Sequence, residues 1–241
     1  NILYNDAGFN SGKLGDNSAE NVLKTRVAVC AGFADLFTEI AIKTGIEAIT
    51  ISGYAKGFGY SEGDTFDESN HAWNAVKIDG VWKIYDATWG QGSGTEDSRG
   101  KLKSTKDYDE QWFNVDPKHS VFTHLAKIPY ENFLAQNTTL EEFERLPSLN
   151  PSAFDLGWLT AEELLAQVKT KKQSNDHFLD SDDIFADLII PKVILQILDL
   201  GRGGHNVRES RFRNEPRLRV VSYPCSNLNA MSVLPCNPVL S

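Results

Sequence analysis

NHAWNAVKIDGVWKIYDATW, residues 70–89, is the stretch that decides the fold of this chain. Two runs of strand-forming residues, 70–78 and 81–88, flank Asp79-Gly80, a dipeptide that favours the tight turn of a β-hairpin. Such a turn places Ile78 opposite Val81, and the residue numbers of every opposing pair then sum to 159. The sequence therefore predicts an antiparallel hairpin with a defined register.

The predicted register brings an acidic side chain to a histidine. It pairs His71 with Thr88 and Trp73 with Asp86, and all four side chains project from one face because alternate residues share a face. His71 and Asp86 become diagonal neighbours, about 7–8 Å apart, which is within reach of a side-chain hydrogen bond. We therefore predict a His71–Asp86 pair on the hairpin.

A helix that begins at a cysteine is predicted upstream of the hairpin. Over residues 30–44 the apolar residues recur at the spacing of a helix with one buried face, and Gly45 is a typical stop signal. Residues 46–54 alternate and are β-branched in the middle, which favours a strand. Cys30 would then lie at a helix N-terminus, where free N–H groups and the positive end of the dipole stabilise a thiolate.

Each of these three residues has an ordinary structural interpretation when taken alone. A single cysteine after Val27-Ala28-Val29 is most often a small buried apolar residue. A strand histidine and a strand-end aspartate usually make local hydrogen bonds. Together, however, Cys30, His71 and Asp86 supply the nucleophile, the base and the orienting acid of a Cys-His-Asp triad.

Two strings around these residues carry a resemblance to a known family. RVAVCAGFADLFTEIAIKTGIEAITISGYAKG (26–57) and SNHAWNAVKIDGVWKIYDATWG (69–90) are similar to the core of the transglutaminase-like superfamily, and more narrowly to its kyphoscoliosis-peptidase-like group. Three blocks match in order: the helix opened by Cys30, His-Ala-Trp-Asn at 71–74 and Asp-Ala-Thr-Trp at 86–89. The resemblance covers about residues 1–157 and is most specific over 22–90.

The resemblance implies an α+β fold of the papain-like, transglutaminase-like kind, with the nucleophile helix packed on an antiparallel sheet. It implies that Cys30 attacks an amide carbonyl of a protein or peptide substrate, that His71 exchanges the proton and that Asp86 orients the imidazole. Water resolves the acyl-enzyme in a peptidase and an amine does so in a transglutaminase, and neither route needs a cofactor. The Cys30 backbone N–H is the first candidate for binding the oxyanion.

Some members of the group serve as scaffolds, so a second hypothesis stays open. In this hypothesis, the chain is a non-catalytic interaction module that binds a cytoskeletal or cell-envelope partner.

We expect Trp73 and Trp89 to line the substrate cleft. The resemblance also places a structural histidine at His124.

The sequence predicts no metal site. His119 and His124 lie five residues apart without a third ligand nearby. The acidic loop has no ordered ligand spacing and is interpreted as solvated; its acidic residues are Glu62, Asp64, Asp67 and Glu68.

Composition excludes several classes of protein. The net charge of −9 and the pI of about 5.1 disfavour a nucleic-acid partner, which usually meets a basic face. No apolar run approaches the length of about 20 residues that a membrane span needs. Three cysteines are too few for a disulfide scaffold in 241 residues. No leader is visible from Asn1 onward, and the compartment stays open, with a lean towards an extracytoplasmic one.

Charge divides the chain into unequal parts. Residues 1–200 carry a net charge of −13, whereas 201–241 carry +4 from six arginines and two glutamates. We predict a transglutaminase-like domain over 1–160 that lacks the family's first helix, a helical extension over 161–200 and a poorly ordered basic tail over 201–241.

Loops are predicted up to Asn21 and over 57–69 and 90–100. Helices are predicted over 130–135, 140–144, 160–171, where Thr160 and Glu163 form a capping box, and 184–200.

Overall fold

Eight strands, five α-helices and a further helical segment over 161–166 form the part of the chain that the computed structural model describes, which is residues 1–155, 157 and 160–166. The helices are α1 (Asp6–Ser11), α2 (Ala19–Thr25), α3 (Cys30–Lys43), α4 (Pro117–Ser120) and α5 (Leu140–Arg145). The strands are β1 (Leu3–Tyr4), β2 (Val27–Ala28), β3 (Ala48–Ala55), β4 (His71–Ile78), β5 (Val81–Tyr85), β6 (Gly92–Glu96), β7 (Leu102–Lys106) and β8 (His124–Ala126). The helix predicted over 184–200, the end of that over 160–171, the tail 201–241 and two of the three cysteines lie outside the described residues.

The predicted hairpin, β4 and β5, forms one side of the main sheet. Four antiparallel strands lie in the order β5-β4-β3-β8. Ile78 pairs with Val81, as the sum of 159 requires, and Asp79 and Gly80 have φ of 50° and 82°. Positive φ at both turn residues matches the right-handed twist of the two strands, which explains why Asp-Gly favours this connection.

The second strand of the hairpin is shorter than the sequence predicts. β5 ends at Tyr85, so the predicted pairings of His71 with Thr88 and of Trp73 with Asp86 are wrong. The backbone N–H of Asp86 donates instead to the Trp112 carbonyl at 2.9 Å. The chain turns at this point because the Asp86 carboxylate accepts the next backbone N–H groups, and the turn still keeps Asp86 beside His71.

Helix α3 packs against β3 and β4 and sets the position of its own N-terminus relative to the sheet. The buried Asn74 amide of β4 donates to the Ala34 carbonyl and to Thr38 Oγ1, both at 2.9 Å. A fully buried amide needs such partners, so these bonds define how the helix lies on the sheet. A helix on an antiparallel sheet is the α+β, papain-like core that the resemblance predicts.

Two segments predicted as loops contain regular structure. The stretch up to Asn21 holds α1 and the beginning of α2, whose first turns are capped by Asn5 and Ser18. Residues 90–100 contribute β6, which pairs with β7 in a separate two-stranded sheet. Hydrophobic periodicity did not predict these elements. The helices are short and the strands are mostly exposed, so too few buried positions recur along the sequence to form a recognisable pattern.

The later helical predictions are confirmed over 140–144 and at the start of 160–171, whereas only a short 3-10 turn replaces the helix predicted over 130–135. A 3-10 turn covers Pro129–Asn132, and α5 begins with a capping box. The predicted capping box at Thr160 is also present, since the backbone N–H of Glu163 donates to Thr160 Oγ1 and that of Thr160 to Glu163 Oε2, both at 3.2 Å. Residues 161–166 are helical. None of the helices in the described residues has the length and apolarity of a membrane span.

A buried lysine connects the end of β3 to α5. Lys56 is 5% exposed, and its Nζ donates to the Leu146 carbonyl just beyond α5. The same ammonium lies 4.6 Å from the centre of the Phe143 ring, a cation–π arrangement. Burial lowers the pKa of Lys56 to about 7, and the charges of Glu62 and Glu144 oppose only part of that effect.

This lowered pKa predicts that Lys56 makes stability depend on pH in a defined direction. The folded chain releases the Lys56 proton near pH 7, whereas the unfolded chain keeps it to about pH 10.4, so the Lys56 contribution to stability increases as pH rises through this window. We expect the free energy of unfolding of the wild type, relative to Lys56→Met, to increase by about 1 to 2 kcal/mol between pH 7 and 9. Urea unfolding of both proteins at each pH measures this difference.

Lys43→Met, at an exposed lysine of α3, is the matched control for removal of an ammonium group. The prediction fails if the Lys56→Met difference is constant across the window, or if Lys43→Met shows the same pH dependence.

Candidate active site

Cys30 is the first residue of α3, as predicted, and this helix begins without a side-chain cap. Its N-cap residue is Val29, whose side chain has no hydrogen-bond acceptor. The other four α-helices named above have capping side chains, from Asn5, Ser18, Asp116 and Thr139. The first-turn N–H groups and the positive end of the dipole of α3 are therefore left to act on the Cys30 thiol and on any oxyanion beside it.

The predicted His71–Asp86 contact is present. His71 is the first residue of β4, and its Nε2 lies 2.7 Å from Asp86 Oδ2. The second ring nitrogen remains for the Cys30 thiol, and the His71 ring and the Ala72 backbone both lie close enough to this thiol to lower its pKa. The structure thus brings Cys30, His71 and Asp86 together in the order thiol, imidazole, carboxylate.

Electrostatics in this site favour a thiolate beside an imidazolium. Burial alone would raise the pKa of the Cys30 thiol, but its hydrogen bond to His71, the His71 charge and the Ala72 N–H outweigh burial and lower that pKa. Burial alone would also lower the pKa of His71, but the charge and hydrogen bond of Asp86 and the contact with Cys30 raise it to about 10. A thiolate at neutral pH is the nucleophilic form of cysteine.

The Asp86 carboxylate is buried and fully hydrogen bonded. Oδ1 accepts the backbone N–H groups of Thr88 at 2.8 Å and Trp89 at 3.0 Å. Oδ2 accepts from two histidines, His71 at 2.7 Å and His124 at 3.1 Å. Burial would raise the pKa of Asp86, but the His71 charge and the hydrogen bonds from both rings outweigh it and hold the pKa well below its usual range.

His124 is the site residue that sequence reasoning missed. The resemblance assigned it only a structural role, and its contact with Asp86 spans 38 positions of the chain. It lies on the edge strand β8, where it pairs with Ala55 of β3. No hairpin joins β8 to β5, the strand that precedes Asp86. The contact between His124 and Asp86 therefore could not be predicted from a local register.

Tryptophans surround the two histidine rings. Trp89 lies 5.3 Å from His71 and 4.4 Å from His124 between ring centres, and it is half-buried. A Cβ on Gly57 would lie 2.7 Å from Trp89 Cζ2, so the missing side chain makes room for this ring. Trp73 is only 2% exposed, which corrects the expectation that it lines an open cleft. Its ring supports both histidines from within the core.

One further side chain near the thiol was not predicted. Tyr4 stacks on Phe33, one turn along α3 from Cys30, with ring centres 6.4 Å apart. Burial, followed by the charges of Cys30, Asp6 and Asp86, raises the pKa of its phenol, which therefore stays protonated at neutral pH.

His71, Asp86 and His124 are the one set among the described residues whose ligand atoms could reach a common metal ion, all lying within 4.8 Å of one another. The hydrogen bonds from both rings to a single carboxylate oxygen already account for this arrangement. The acidic loop predicted to be solvated is exposed at Glu62, Asp64, Asp67 and Glu68.

Comparison with known proteins agrees with this geometry. Residues 1–87, which include all three triad positions, match the family model described as the transglutaminase-like superfamily. This part of the chain is a transglutaminase-like domain. The kyphoscoliosis peptidases of Mus musculus and Homo sapiens are each 32% identical to the chain over 151 residues, and Hillarin of Drosophila melanogaster is 30% identical to it over 137 residues.

These similarities extend past the family-model match but cover a small part of each relative. The alignment with each kyphoscoliosis peptidase takes in 62% of this chain and 22% of the relative, and that with Hillarin takes in 53% and 17%. The transglutaminase-like domain thus resembles the kyphoscoliosis-peptidase-like group, as predicted. The activities and partners of the full-length relatives do not follow from this overlap.

Proposed function

We propose that the transglutaminase-like domain is a cysteine-dependent enzyme that processes amides of protein or peptide substrates through an acyl-enzyme. The single observation that carries this proposal is the Cys30 thiol at the uncapped N-terminus of α3, beside an imidazole whose Nε2 lies 2.7 Å from the Asp86 carboxylate. The predicted triad roles of the three residues are part of the proposal.

In the first half-reaction, Cys30 Sγ attacks the carbonyl carbon of the substrate amide. The carbonyl oxygen becomes an oxyanion, and the backbone N–H of Cys30 is placed to stabilise it. When the C–N bond breaks, the His71 imidazolium gives its proton to the leaving amine. The products are a free amine or ammonia, a thioester on Cys30 and a neutral His71.

In the second half-reaction, a nucleophile attacks the thioester. His71 takes a proton from the incoming water or amine, the C–S bond breaks and the thiolate–imidazolium pair is restored. Water yields hydrolysis or deamidation, and an amine yields transfer. Both outcomes use the same triad, so the acceptor that enters the site decides between them.

The pH dependence of thiol alkylation tests the activated thiolate. An ordinary thiol is about 0.3% ionised at pH 6, whereas Cys30 is expected to be ionised to a much larger degree. We therefore expect iodoacetamide to label Cys30 at pH 6 at least about tenfold faster than it labels glutathione, even after allowing for the weaker nucleophilicity of a low-pKa thiolate. His71→Ala should remove this advantage, and peptide mass spectrometry locates the label.

His119→Ala, at a histidine outside the site, is the matched control and should label as the wild type does. Labelling of Cys30 no faster than glutathione, or equal labelling in His71→Ala, would refute the activated thiolate. Incubation with casein, followed by mass spectrometry, then assigns the reaction. New chain ends indicate peptide hydrolysis, conversion of glutamine to glutamate indicates deamidation, and incorporation of an added amine indicates transfer. An activated thiol with none of these products would favour the non-catalytic scaffold.

A further inference from the structure

One carboxylate oxygen in the site serves two imidazoles. We propose that His124 is a positioning residue for the proposed reaction: through Asp86 Oδ2, which it shares with His71, it holds the carboxylate and limits how strongly the carboxylate retains the His71 proton. This inference rests on the proposed function and adds a residue to its machinery.

His124 acts from behind the triad and does not touch the substrate. Its side chain is 2% exposed and is enclosed by the rings of Trp73, Trp89 and Trp112, whose centres lie 4.9, 4.4 and 5.6 Å away. A ring packed in this way keeps one orientation, because rotation would drive it into its neighbours. Its contribution must therefore pass through Asp86.

The hydrogen bonds of His124 define which nitrogen carries its proton. Burial lowers the pKa of His124, so the ring is neutral at neutral pH and has a single N–H. The Asp86 carboxylate only accepts, which assigns that N–H to Nε2. Nδ1 then accepts from the buried Thr123 hydroxyl at 2.9 Å, a shorter contact than the 3.3 Å from the same hydroxyl to the competing acceptor, the Ser120 carbonyl. Thr123 thereby selects the tautomer that donates to Asp86.

Two hydrogen-bond donors on one carboxylate oxygen compete for its negative charge. The Nε2–H groups of His71 and His124 both carry partial positive charge and converge on Oδ2, so the bond from His124 weakens the attraction of Asp86 for the His71 imidazolium. The other titratable groups whose charges reach this centre are Cys30 and Tyr4, and the Tyr4 phenol stays protonated. Without His124, Asp86 should therefore hold the His71 proton more tightly.

The test compares His124→Leu, which removes the donor, with His124→Gln, whose side-chain amide can still donate to Oδ2. The midpoint of the iodoacetamide labelling rate against pH should fall by about half a unit or more in His124→Leu, because a more stable imidazolium favours the thiolate. Casein modification should slow about tenfold, because His71 then releases its proton to the leaving amine less readily. His124→Gln should keep both values close to the wild type.

Two further measurements keep the inference testable if His124→Leu does not fold. Thr123→Val removes the hydroxyl that polarises His124 and should shift the labelling midpoint in the same direction by a smaller amount. Nitrogen-15 NMR of the wild type should show His124 as the neutral Nε2–H tautomer at neutral pH. His119→Gln is the matched control and should leave the labelling profile unchanged.

An unchanged midpoint in folded His124→Leu, or equal shifts in His124→Leu and His124→Gln, would overturn the inference. A charged His124 at neutral pH, or an unshifted midpoint in Thr123→Val when the leucine variant is unfolded, would also overturn it. A wild type without an activated Cys30 would instead refute the proposed function, so the two failures are distinguishable.

Discussion

Replacing Cys30 by Ala is expected to abolish casein modification, by at least about 10³-fold, because no other group in the site can form the acyl-enzyme. Cys30→Ser should be nearly as inactive, since a hydroxyl is a far weaker acid than a thiol and His71 would have to remove its proton during attack. Both variants should fold, because Cys30 is small and only partly buried. Product formation measured by mass spectrometry and thermal unfolding of each variant check these expectations.

The other two cysteines provide the matched control. Cys225→Ala combined with Cys236→Ala changes the thiol content of the chain but leaves the triad intact, and it should retain both casein modification and rapid labelling at pH 6. Activity that survives in Cys30→Ala, or that disappears in the double variant, would contradict Cys30 as the nucleophile.

Replacing Asp86 by Asn should have the second largest effect, a loss of about 10³- to 10⁴-fold in casein modification. The asparagine oxygen can still accept from the backbone N–H groups of Thr88 and Trp89, but its NH₂ group then faces the Nε2–H groups of His71 and His124. His71 must place its proton on the nitrogen that faces Cys30, so neutral His71 can no longer take the thiol proton. Labelling at pH 6 should fall to the rate of an ordinary thiol.

The same substitution should also destabilise the fold, because it places donors against donors at the fully buried position of the carboxylate. Breaking a buried charge network of this kind costs about 3 kcal/mol, and the free energy of unfolding in urea measures the loss. Asp116→Asn, at a partly exposed carboxylate that caps α4, is the matched control and should change both activity and stability little, since Asn also caps helices well. Wild-type labelling and stability in Asp86→Asn would contradict the assigned role of Asp86.

The Cys30 and Asp86 variants test different properties of the protein, the reaction in the first case and both the reaction and the stability of the fold in the second. Cys30 acts through its own chemistry, so its removal affects the reaction and leaves packing largely intact. Asp86 joins β4, β8 and the turn after β5 through four hydrogen bonds, so its replacement affects both the reaction and the fold. A comparison of activity and stability across both variants therefore separates catalytic from structural contributions.

The hairpin and the nucleophile helix could be predicted from sequence because short-range physics dictates them. Asp79-Gly80 determines the turn through positive φ at adjacent residues, and the turn determines the register of Ile78 with Val81. The apolar spacing after Cys30 selects a helix, and Gly45, with φ of 82°, follows its end as the stop signal. In each case the deciding residues are a few positions apart.

The length of β5 could not be predicted, because its end depends on a distant partner. Alternation continues in the sequence to Thr88, yet the Asp86 N–H bonds to the Trp112 carbonyl and the strand stops at Tyr85. The burial of Trp73 had the same kind of cause. Its position on the hairpin face was predictable, but the ring of His124 that packs against it comes from β8.

The sequence by itself determined the place of Cys30 at a helix N-terminus and the proximity of His71 to Asp86, because both follow from local turn chemistry and periodicity. The fold class was implied by the resemblance of the sequence to the transglutaminase-like superfamily. Only the tertiary structure decided that Asp86 serves two histidines and that Thr123 orients the second. That arrangement requires β8 to pair with β3 and bring His124 to a carboxylate 38 residues away along the chain. Hydrogen bonds between such distant segments depend on the packing of the whole sheet, and no local pattern encodes them.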